Sequence, residues 1–284
     1  SIDGVKGIEI GYPFPVAIDV LAKELKDREL SVCSVIGSMI NGPMFKYGSL
    51  SSPDEAIRST AISALKEMAD AASYLGCGTI TVWPGQDGFD YPFQVDYEAS
   101  WRRFADGIAV LARHRPEIRV AIEYKMKEPR THSLMATIAK SVLMCEKTGC
   151  PNTGIVLDFG HSLAAGESPA ESAEIALMLG RLFHIHMNDN YRYWDDDMIV
   201  GMVHVWETME FLYCLEKTSY DGWISLDMFP YREDPVDACR SAIANLRALQ
   251  AATDRLDRDE LQRAQKRSDV VRVQALLREA LFDR

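Results

Sequence analysis

The sequence has 284 residues, of which 47% are apolar, so it can bury one large core. Its formal net charge is −11, and the acidic residues are spread along the chain rather than gathered in a tail. Because affinity for phosphate groups comes from clustered lysine and arginine, this balance argues against a general nucleic-acid or anionic-membrane binder. We therefore predict no nucleic-acid partner and no membrane partner.

The cysteines and the apolar runs indicate the compartment. The six cysteines have no paired spacing of the kind that binds metals, and we interpret them as thiols in a reducing compartment. No apolar run approaches the roughly 20 residues that span a bilayer. The first residues lack the basic start and the apolar stretch of a signal peptide. We expect a cytoplasmic protein.

Short β-branched runs alternate with longer amphipathic stretches along the chain. The predicted strands are 7–11, 30–36, 79–83, 118–123, 154–160, 182–187 and 223–228. The predicted helices are 54–74, 97–114, 132–148, 170–179 and 234–251. Several of the strands are nearly continuous apolar runs, which is typical of a parallel sheet that is buried on both faces.

Repeated β-α-β order leaves two architectures, an open doubly wound sheet and a closed barrel. The open sheet that binds dinucleotides lacks its usual support, because no GxGxxG motif follows an early strand. We predict an α/β fold, a (β/α)₈ TIM barrel that occupies residues 1–252. Seven strands are counted where a barrel needs eight, so we expect one more strand upstream of residue 1.

The pattern changes after the last predicted barrel helix. Residues 253–284 are charged and helix-forming, with a leucine and valine stripe, and we predict a C-terminal helical tail. Two interpretations stay open for this tail. It packs on its own barrel, or it embraces a neighbouring subunit. We expect a homo-oligomer, a dimer or a tetramer.

Four successive strands end in residues that can bind a metal ion. Functional groups of a parallel barrel gather at the C-terminal ends of its strands, where Glu123, Asp158, His186 and Asp227 lie. Three carboxylates and an imidazole suit Mg²⁺, Mn²⁺ or Co²⁺, and they suit Zn²⁺ less well. The sequence therefore predicts a divalent-metal site at this end of the barrel.

Two further motifs predict a second cation. LDFGH puts His161 three residues after Asp158, so that both can face one cavity. In YWDDDM, Asp195 and Asp197 are alternate residues that point the same way in an extended segment, with Asp196 towards solvent. Taken alone, such an acidic run is more often a solvated turn. Beside the strand-end residues, it suggests a second ion that shares Asp158.

Three other side chains are assigned by their position on the strands. Lys125 follows Glu123 by two residues, so in a continuing strand it faces inward and can polarise a substrate oxygen. Trp83 ends its strand and either walls a sugar site or plugs the barrel mouth. We interpret His184 as out of phase with His186, facing the helical layer in a structural role.

Several segments in the same order match a known superfamily. They are FKYGSLSSPDEAIR (45–58), VWPGQDG (82–88), IEYKMKEPR (122–130), LDFGH (157–161), HMNDNYRYWDDDMIVG (186–201) and SLDMF (225–229). Together they resemble the xylose isomerase-like superfamily, most closely its xylose isomerase and L-rhamnose isomerase branch. WDDDMIVG is the most specific of these pieces, and by the resemblance the missing first strand is expected.

The resemblance implies a role for each candidate residue. The four strand-end residues would hold a substrate-ordering ion. The catalytic ion, expected to be Mn²⁺ before Mg²⁺, Co²⁺ or Zn²⁺, would be held by His161, Asp195 and Asp197, with Asp158 bridging. Lys125 matches the lysine that contacts the substrate carbonyl oxygen, and Trp83 matches the tryptophan that lines the site.

The implied reaction is aldose–ketose isomerisation of an open-chain sugar. The two cations would neutralise O1 and O2 while a hydride moves between C1 and C2, with a water of lowered pKa handling the hydroxyl proton. One departure affects the substrate. Xylose isomerases carry an early histidine that assists ring opening, whereas here no histidine precedes His114, and GIEIGYPFP offers Glu9 and Tyr12 instead.

Three rival interpretations remain. Ketose 3-epimerases, inosose dehydratases and C-glycoside-cleaving lyases share the fold and use one metal; the epimerases need a glutamate pair, and Asp227 stands where the second glutamate would be. Endonuclease IV-like DNA repair needs a histidine-rich trinuclear zinc site and a basic face, which an acidic chain fits poorly. A barrel that retains the ligands could also serve as a binding protein.

Overall fold

A computed structural model describes residues 2–37, 42–230 and 232–282. Seven strands form one sheet in which every neighbouring pair is parallel. In sheet order they are β1 (Gly7–Tyr12), β2 (Ser31–Gly37), β3 (Thr79–Val82), β5 (Arg119–Glu123), β8 (Thr153–Asp158), β9 (Leu182–Met187) and β10 (Ile224–Leu226). This arrangement confirms the predicted α/β barrel fold.

The two edge strands of this sheet lie next to each other. A Cβ atom added to Gly7 of β1 would meet the ring of Trp223, which precedes β10, at 3.1 Å. A groove of about 640 Å³ runs between these strands, and no β1–β10 pairing occurs within the described residues. The expected strand upstream of residue 1 stays a prediction.

Ten helices connect and surround the described strands. They are α1 (Ile18–Asp27), α2 (Glu55–Tyr74), α3 (Tyr97–His114), α4 (Ile138–Thr148), α5 (Phe159–Ala164), α6 (Pro169–Met178), α7 (Val205–Lys217), α8 (Pro235–Asp254), α9 (Arg258–Lys266) and α10 (Val270–Phe282). Most begin at a side chain that accepts a backbone N–H of the first turn, as Asp54, Asp96 and Ser168 do. The core lies between strands and helices, with Ile80, Ile122 and others fully buried.

Two predicted elements were wrong at their boundaries. Helix 132–148 starts only at Ile138, because Thr131–Ser133 forms β7, which pairs antiparallel with β6 (Lys127–Glu128) and β4 (Gly88–Phe89). Strand 154–160 ends at Asp158, because its last two residues begin α5. In both places local pairing or capping outweighed the hydrophobic pattern on which the prediction rested.

The C-terminal tail packs on its own barrel. Its helices α9 and α10 form a small core, built from Leu256, Leu261, Leu276 and Ala280, against Tyr213 of α7. The guanidinium of Arg255 donates to the carbonyl of Ala280, which ties the start of the tail to its end. The expected homo-oligomer stays a prediction. Within the described ranges, no helix is both long and apolar enough to cross a bilayer.

Candidate metal centre

Four adjacent strands bring the predicted strand-end residues together. Glu123 is the last residue of β5, Asp158 is the last of β8, and Asp227 directly follows β10. In the β8–β9 ladder Asp158 is the direct partner of His186. One ligand atom from each of these four residues lies within 4.8 Å of the others, as expected of residues that could share one ion.

The first ligand group is centred on the imidazole of His186. Its Nδ1 atom lies 3.3 Å from Oε1 of Glu123 and 3.3 Å from Oδ2 of Asp227. Asp158 and His186 are 0% exposed and Glu123 is 2% exposed. The side chain of Asp227 is 35% exposed, so it forms the solvent side of the group.

The second ligand group is built by the turn from β8 into α5. Asp158 caps this helix, with Oδ1 accepting the backbone N–H of His161 at 2.6 Å. The cap fixes the first turn, and the imidazole Nε2 of His161 then lies 3.0 Å from Oδ2 of Asp195. These three residues also have ligand atoms within 4.8 Å of one another, so Asp158 belongs to both groups.

Asp197 lies beside this group but does not complete it in the described part of the chain. The amide of Asn188 donates to Oδ2 of Asp158 at 2.9 Å and to Oδ1 of Asp197 at 3.3 Å. Asp197 therefore approaches the cluster through an intervening amide. The prediction that Asp196 points to solvent was only partly right, because its half-buried carboxylate accepts the backbone N–H of Tyr191.

Too many carboxylates meet here for all of them to be ionised without a cation. Burial, helped by neighbouring acids, raises the pKa of Asp158 to about 7 and that of Asp197 to about 9. Burial disfavours the charged form of His161, but Asp158 and Asp195 outweigh it and raise its pKa to about 10. A divalent cation would favour the ionised carboxylates and the neutral imidazole, so it would compete with protons for this cluster.

Unpartnered atoms support the same conclusion. Oε2 of Glu123, Nδ1 of His161 and Oδ1 of Asp195 are buried without a hydrogen-bond partner among the described residues. Leaving a buried polar atom unpaired costs about 1–3 kcal/mol, more for a charged group. Because carboxylate oxygens and imidazole nitrogens suit divalent ions, these residues fit a metal centre.

Lys125 and Trp83 lie at the edge of the cluster. Nζ of Lys125 is 2.8 Å from Oδ2 of Asp195 and also pairs with Glu128. The same ammonium lies 5.4 Å from the ring centroid of Trp83 and 5.8 Å from that of Trp194. Burial lowers the pKa of Lys125, but Asp195 and Glu128 outweigh it and raise the pKa overall. The lysine is therefore a fixed positive charge.

Sequence reasoning assigned no role to the buried polar run that follows β9. Oδ2 of Asp189 accepts the backbone N–H groups of Met202, Val203 and His204, and its Oδ1 lies 2.8 Å from Nδ1 of His204. The amide of Asn190 donates to the carbonyl of Gly160. These bonds anchor the loop that carries Asp195. Three polar residues in a row after a buried strand were the available signal.

The orientation predicted for His184 was wrong. Side chains alternate along a strand, so residues two apart share a face, and His184 lies inside the barrel with His186. The two imidazole rings are 5.1 Å apart, and Nε2 of His184 lies 2.9 Å from Oγ of Ser225. The neighbouring carboxylate on the far side of the His186 ring belongs to Glu9.

Cavity size does not locate this centre. A cavity of about 700 Å³ lies between α6, α7 and the tail, whereas the one beside Lys125, His161 and Asp195 holds about 10 Å³. Tyr193 and Trp194 also line the smaller cavity. We assign the site by its chemistry, because the larger cavity contains neither ligand group.

Comparison with known proteins identifies the family. A model of the xylose isomerase-like TIM barrel family matches residues 3–249. The chain belongs to this family. This membership confirms the superfamily resemblance found in the sequence motifs.

Individual relatives agree with the family assignment. The xylose isomerase of Thermus thermophilus is 27% identical over 206 residues, which cover 70% of this chain and 53% of that protein. The chain thus spans about half the length of this relative. An L-ribulose 3-epimerase structure superimposes with a TM-score of 0.72 at 20% identity, covering 91% of this chain and 88% of that one.

A second structure shows the same fold. It is a xylose isomerase domain protein from Alicyclobacillus acidocaldarius, with a TM-score of 0.66 and 16% identity, over 88% of this chain and 90% of that one. At such low identity these two structures establish the fold alone.

Proposed function

We propose that this chain is a divalent-metal-dependent sugar isomerase that interconverts an aldose and a ketose. The observation that carries the proposal is that the buried carboxylate of Asp158 belongs to two adjacent ligand groups. A carboxylate that belongs to both groups can bridge a pair of neighbouring ions. Family membership and the similarity to a xylose isomerase support the same reaction class.

Each ligand group would hold one ion. The first ion would lie among Glu123, Asp158, His186 and Asp227. The second would lie among Asp158, His161 and Asp195, with Asp197 beside them. Mn²⁺ is our first choice because most of these ligands are carboxylate oxygens. When bound, the two cations would polarise the carbonyl and hydroxyl oxygens of an open-chain sugar while hydrogen moves between C1 and C2.

The side chains of this protein would orient the sugar and shield it. Lys125 would donate from Nζ to a substrate oxygen, since its charge is already fixed beside Asp195. The rings of Trp83 and Trp194 flank this ammonium and would cover the apolar face of the sugar, which excludes water from the reacting carbons.

One observation favours a second candidate, a ketose 3-epimerase with a single ion. Lys125 and His161 both contact Oδ2 of Asp195, so this carboxylate already has cationic partners. Lys125 could then replace the second cation. Against this candidate, the short side chain of Asp227 stands where an epimerase needs its second glutamate.

A sugar panel separates the two candidates. The purified chain would be incubated with aldoses and ketoses in the presence of Mn²⁺, Co²⁺ or Mg²⁺, and the products identified by chromatography. The proposal predicts conversion between an aldose and its ketose, lost in Asp195→Asn and retained in the neighbouring control Asp196→Asn. Products that differ only at C3 would favour the epimerase. No conversion with any sugar and metal would contradict both.

A further inference from the structure

Glu9 lies on the side of the His186 ring opposite Glu123 and Asp227. Its Oε1 lies 3.1 Å from Nε2 of His186, while the opposite ring nitrogen, Nδ1, faces Glu123 and Asp227. The imidazole therefore lies between a carboxylate outside the ligand group and the two carboxylates inside it. This contact between Glu9 and Nε2 of His186 is close, although it is not aligned as a hydrogen bond.

The strand ladder is irregular beside Glu9. Ile8 pairs with Val32 and Glu9 pairs with Ser34, so β2 has one extra residue at this point of the ladder. A bulge of this kind redirects neighbouring side chains. In this position Glu9 crosses the barrel interior towards β9, which is not its neighbour in the sheet.

The carboxylate of Glu9 is itself held in place. The hydroxyl of Thr81 donates to its Oε2 at 3.0 Å, and Oγ of Ser34 lies 2.7 Å from the same hydroxyl. Glu9 is therefore anchored through Oε2, with Oε1 left to face His186.

Glu9, His184 and His186 also have ligand atoms within 4.8 Å of one another, which raises the question of a third ion. Two of the available atoms are already in use. Thr81 occupies one oxygen of Glu9, and Nε2 of His184 lies 2.9 Å from Oγ of Ser225. The geometry favours a supporting role over coordination.

We propose that Glu9 is a positioning residue, which holds the His186 ring so that Nδ1 faces the ion bound with Glu123 and Asp227. The inference rests on the proposed metal site. Its physical basis is that a ligating imidazole donates its other N–H to a carboxylate or carbonyl, which fixes the ring and raises the basicity of the ligating nitrogen. Loss of such a partner weakens metal affinity about 10–100-fold.

The test is a titration of the metal-free protein with Co²⁺. Calorimetry measures the affinity, and visible absorption records the spectrum of the bound Co²⁺. Glu9→Leu should weaken one ion per chain about 10–100-fold and change the Co²⁺ spectrum. Glu9→Gln, which keeps an oxygen acceptor, should lose less. The control is Glu167→Gln, because Glu167 is also half-buried but its carboxylate bonds Tyr124, Ile138, Ser162 and Ser172, none of which is a ligand residue. The control should keep wild-type affinity.

A double-mutant cycle shows whether Glu9 acts through His186. In a His186→Asn background, Glu9→Leu should cause no further loss of affinity. Equal losses in both backgrounds would overturn the inference, as would wild-type affinity and spectrum in Glu9→Leu. A third Co²⁺ per chain that disappears in Glu9→Leu would show that Glu9 is a ligand instead.

The same titration distinguishes the two proposals. A wild-type chain that binds no divalent ion overturns the metal site and this inference together. A wild-type chain that binds its ions, with Glu9→Leu unchanged, overturns this inference alone.

Discussion

Two fully buried carboxylates of this barrel have opposite surroundings. Asp87 accepts four hydrogen bonds, from the backbone N–H groups and the hydroxyls of Ser49 and Ser51. Among the residues that the structure describes, Asp158 accepts only from His161 and Asn188, and it has Glu123, Asp195 and Asp227 as charged neighbours. Both side chains are 0% exposed, so burial alone does not distinguish them.

The difference indicates what each carboxylate is for. A buried carboxylate that accepts hydrogen bonds from several donors needs no further partner. It stabilises the fold by joining one loop to another. A buried carboxylate among other acids and unpartnered polar atoms lacks a compensating positive charge until a cation binds. Exchanging aspartate for asparagine at each position should therefore have opposite consequences.

The largest effect is expected for Asp158→Asn. This change removes a ligand common to both groups, so the affinity for both ions should fall more than about 100-fold, beyond the loss of a supporting residue. The metal-free protein should unfold with the same or a higher free energy, because Asn still caps α5 and one of the crowded negative charges is gone. Calorimetric metal titration and urea unfolding of the metal-free chain measure the two quantities.

Asp87→Asn should give the reverse result. The charge-assisted hydrogen bonds to Ser49 and Ser51 weaken, which should lower the free energy of unfolding by about 1–3 kcal/mol. Metal affinity should stay at the wild-type value. If Asp87→Asn weakened metal binding as strongly as Asp158→Asn does, the contrast between the two sites would be wrong.

A smaller effect is expected at Asn188, which supports the incomplete site. Asn188→Ala removes the amide that donates to both Asp158 and Asp197, and metal affinity should fall about 10-fold, at the lower end of the range for supporting residues. The control is Asn152→Ala. Asn152 directly precedes β8, at the opposite end of that strand from Asp158, and its amide donates to the carbonyls of Ala112 and Ile118. Titration with Mn²⁺ should leave this control unchanged.

The smallest effect concerns a carboxylate that solvent helps to satisfy. The hydrogen bond from Arg115, together with His114, lowers the pKa of Asp70, whose side chain is 44% exposed. The pKa of Asp70 is lower in the folded state than in the unfolded state, where it is 3.8. The ion pair therefore stabilises the fold above pH 3.8, and this stabilisation is lost as the pH falls through the folded-state pKa. Solvent screening limits it to below about 1 kcal/mol.

Urea unfolding of Asp70→Asn and the wild type at two pH values tests this effect. The variant should be slightly less stable at pH 7, and the difference should close in acid. A difference that grew on acidification would mean that the sign of the pKa shift is wrong.

The clustering of the strand-end residues could be predicted from the sequence. Strand ends are marked by where apolar runs stop, and in a parallel barrel these ends converge, so the apolar pattern alone places Glu123, Asp158 and His186 together. The boundaries of 132–148 and 154–160 were missed, because a short hairpin and a cap involve few residues and change the hydrophobic pattern little.

Contacts across the barrel could not be read from the pattern. Glu9 lies 177 positions before His186 in the chain, and the ladder irregularity beside it is not marked in the sequence. Asn188 and Asp189 bond to backbone and side chains of the β8–α5 turn and of the loop ending at His204, which only the folded structure brings near. Long-range polar partners of this kind need three-dimensional information.

The central claim is that this barrel holds two divalent ions that share Asp158, and metal stoichiometry tests it most directly. Metal-free protein would be titrated with Mn²⁺ and the bound ions counted per chain, for the wild type and for Asp195→Asn. We predict two ions in the wild type and one tight ion in the variant. A single ion per chain that Asp195→Asn leaves unchanged would contradict the claim.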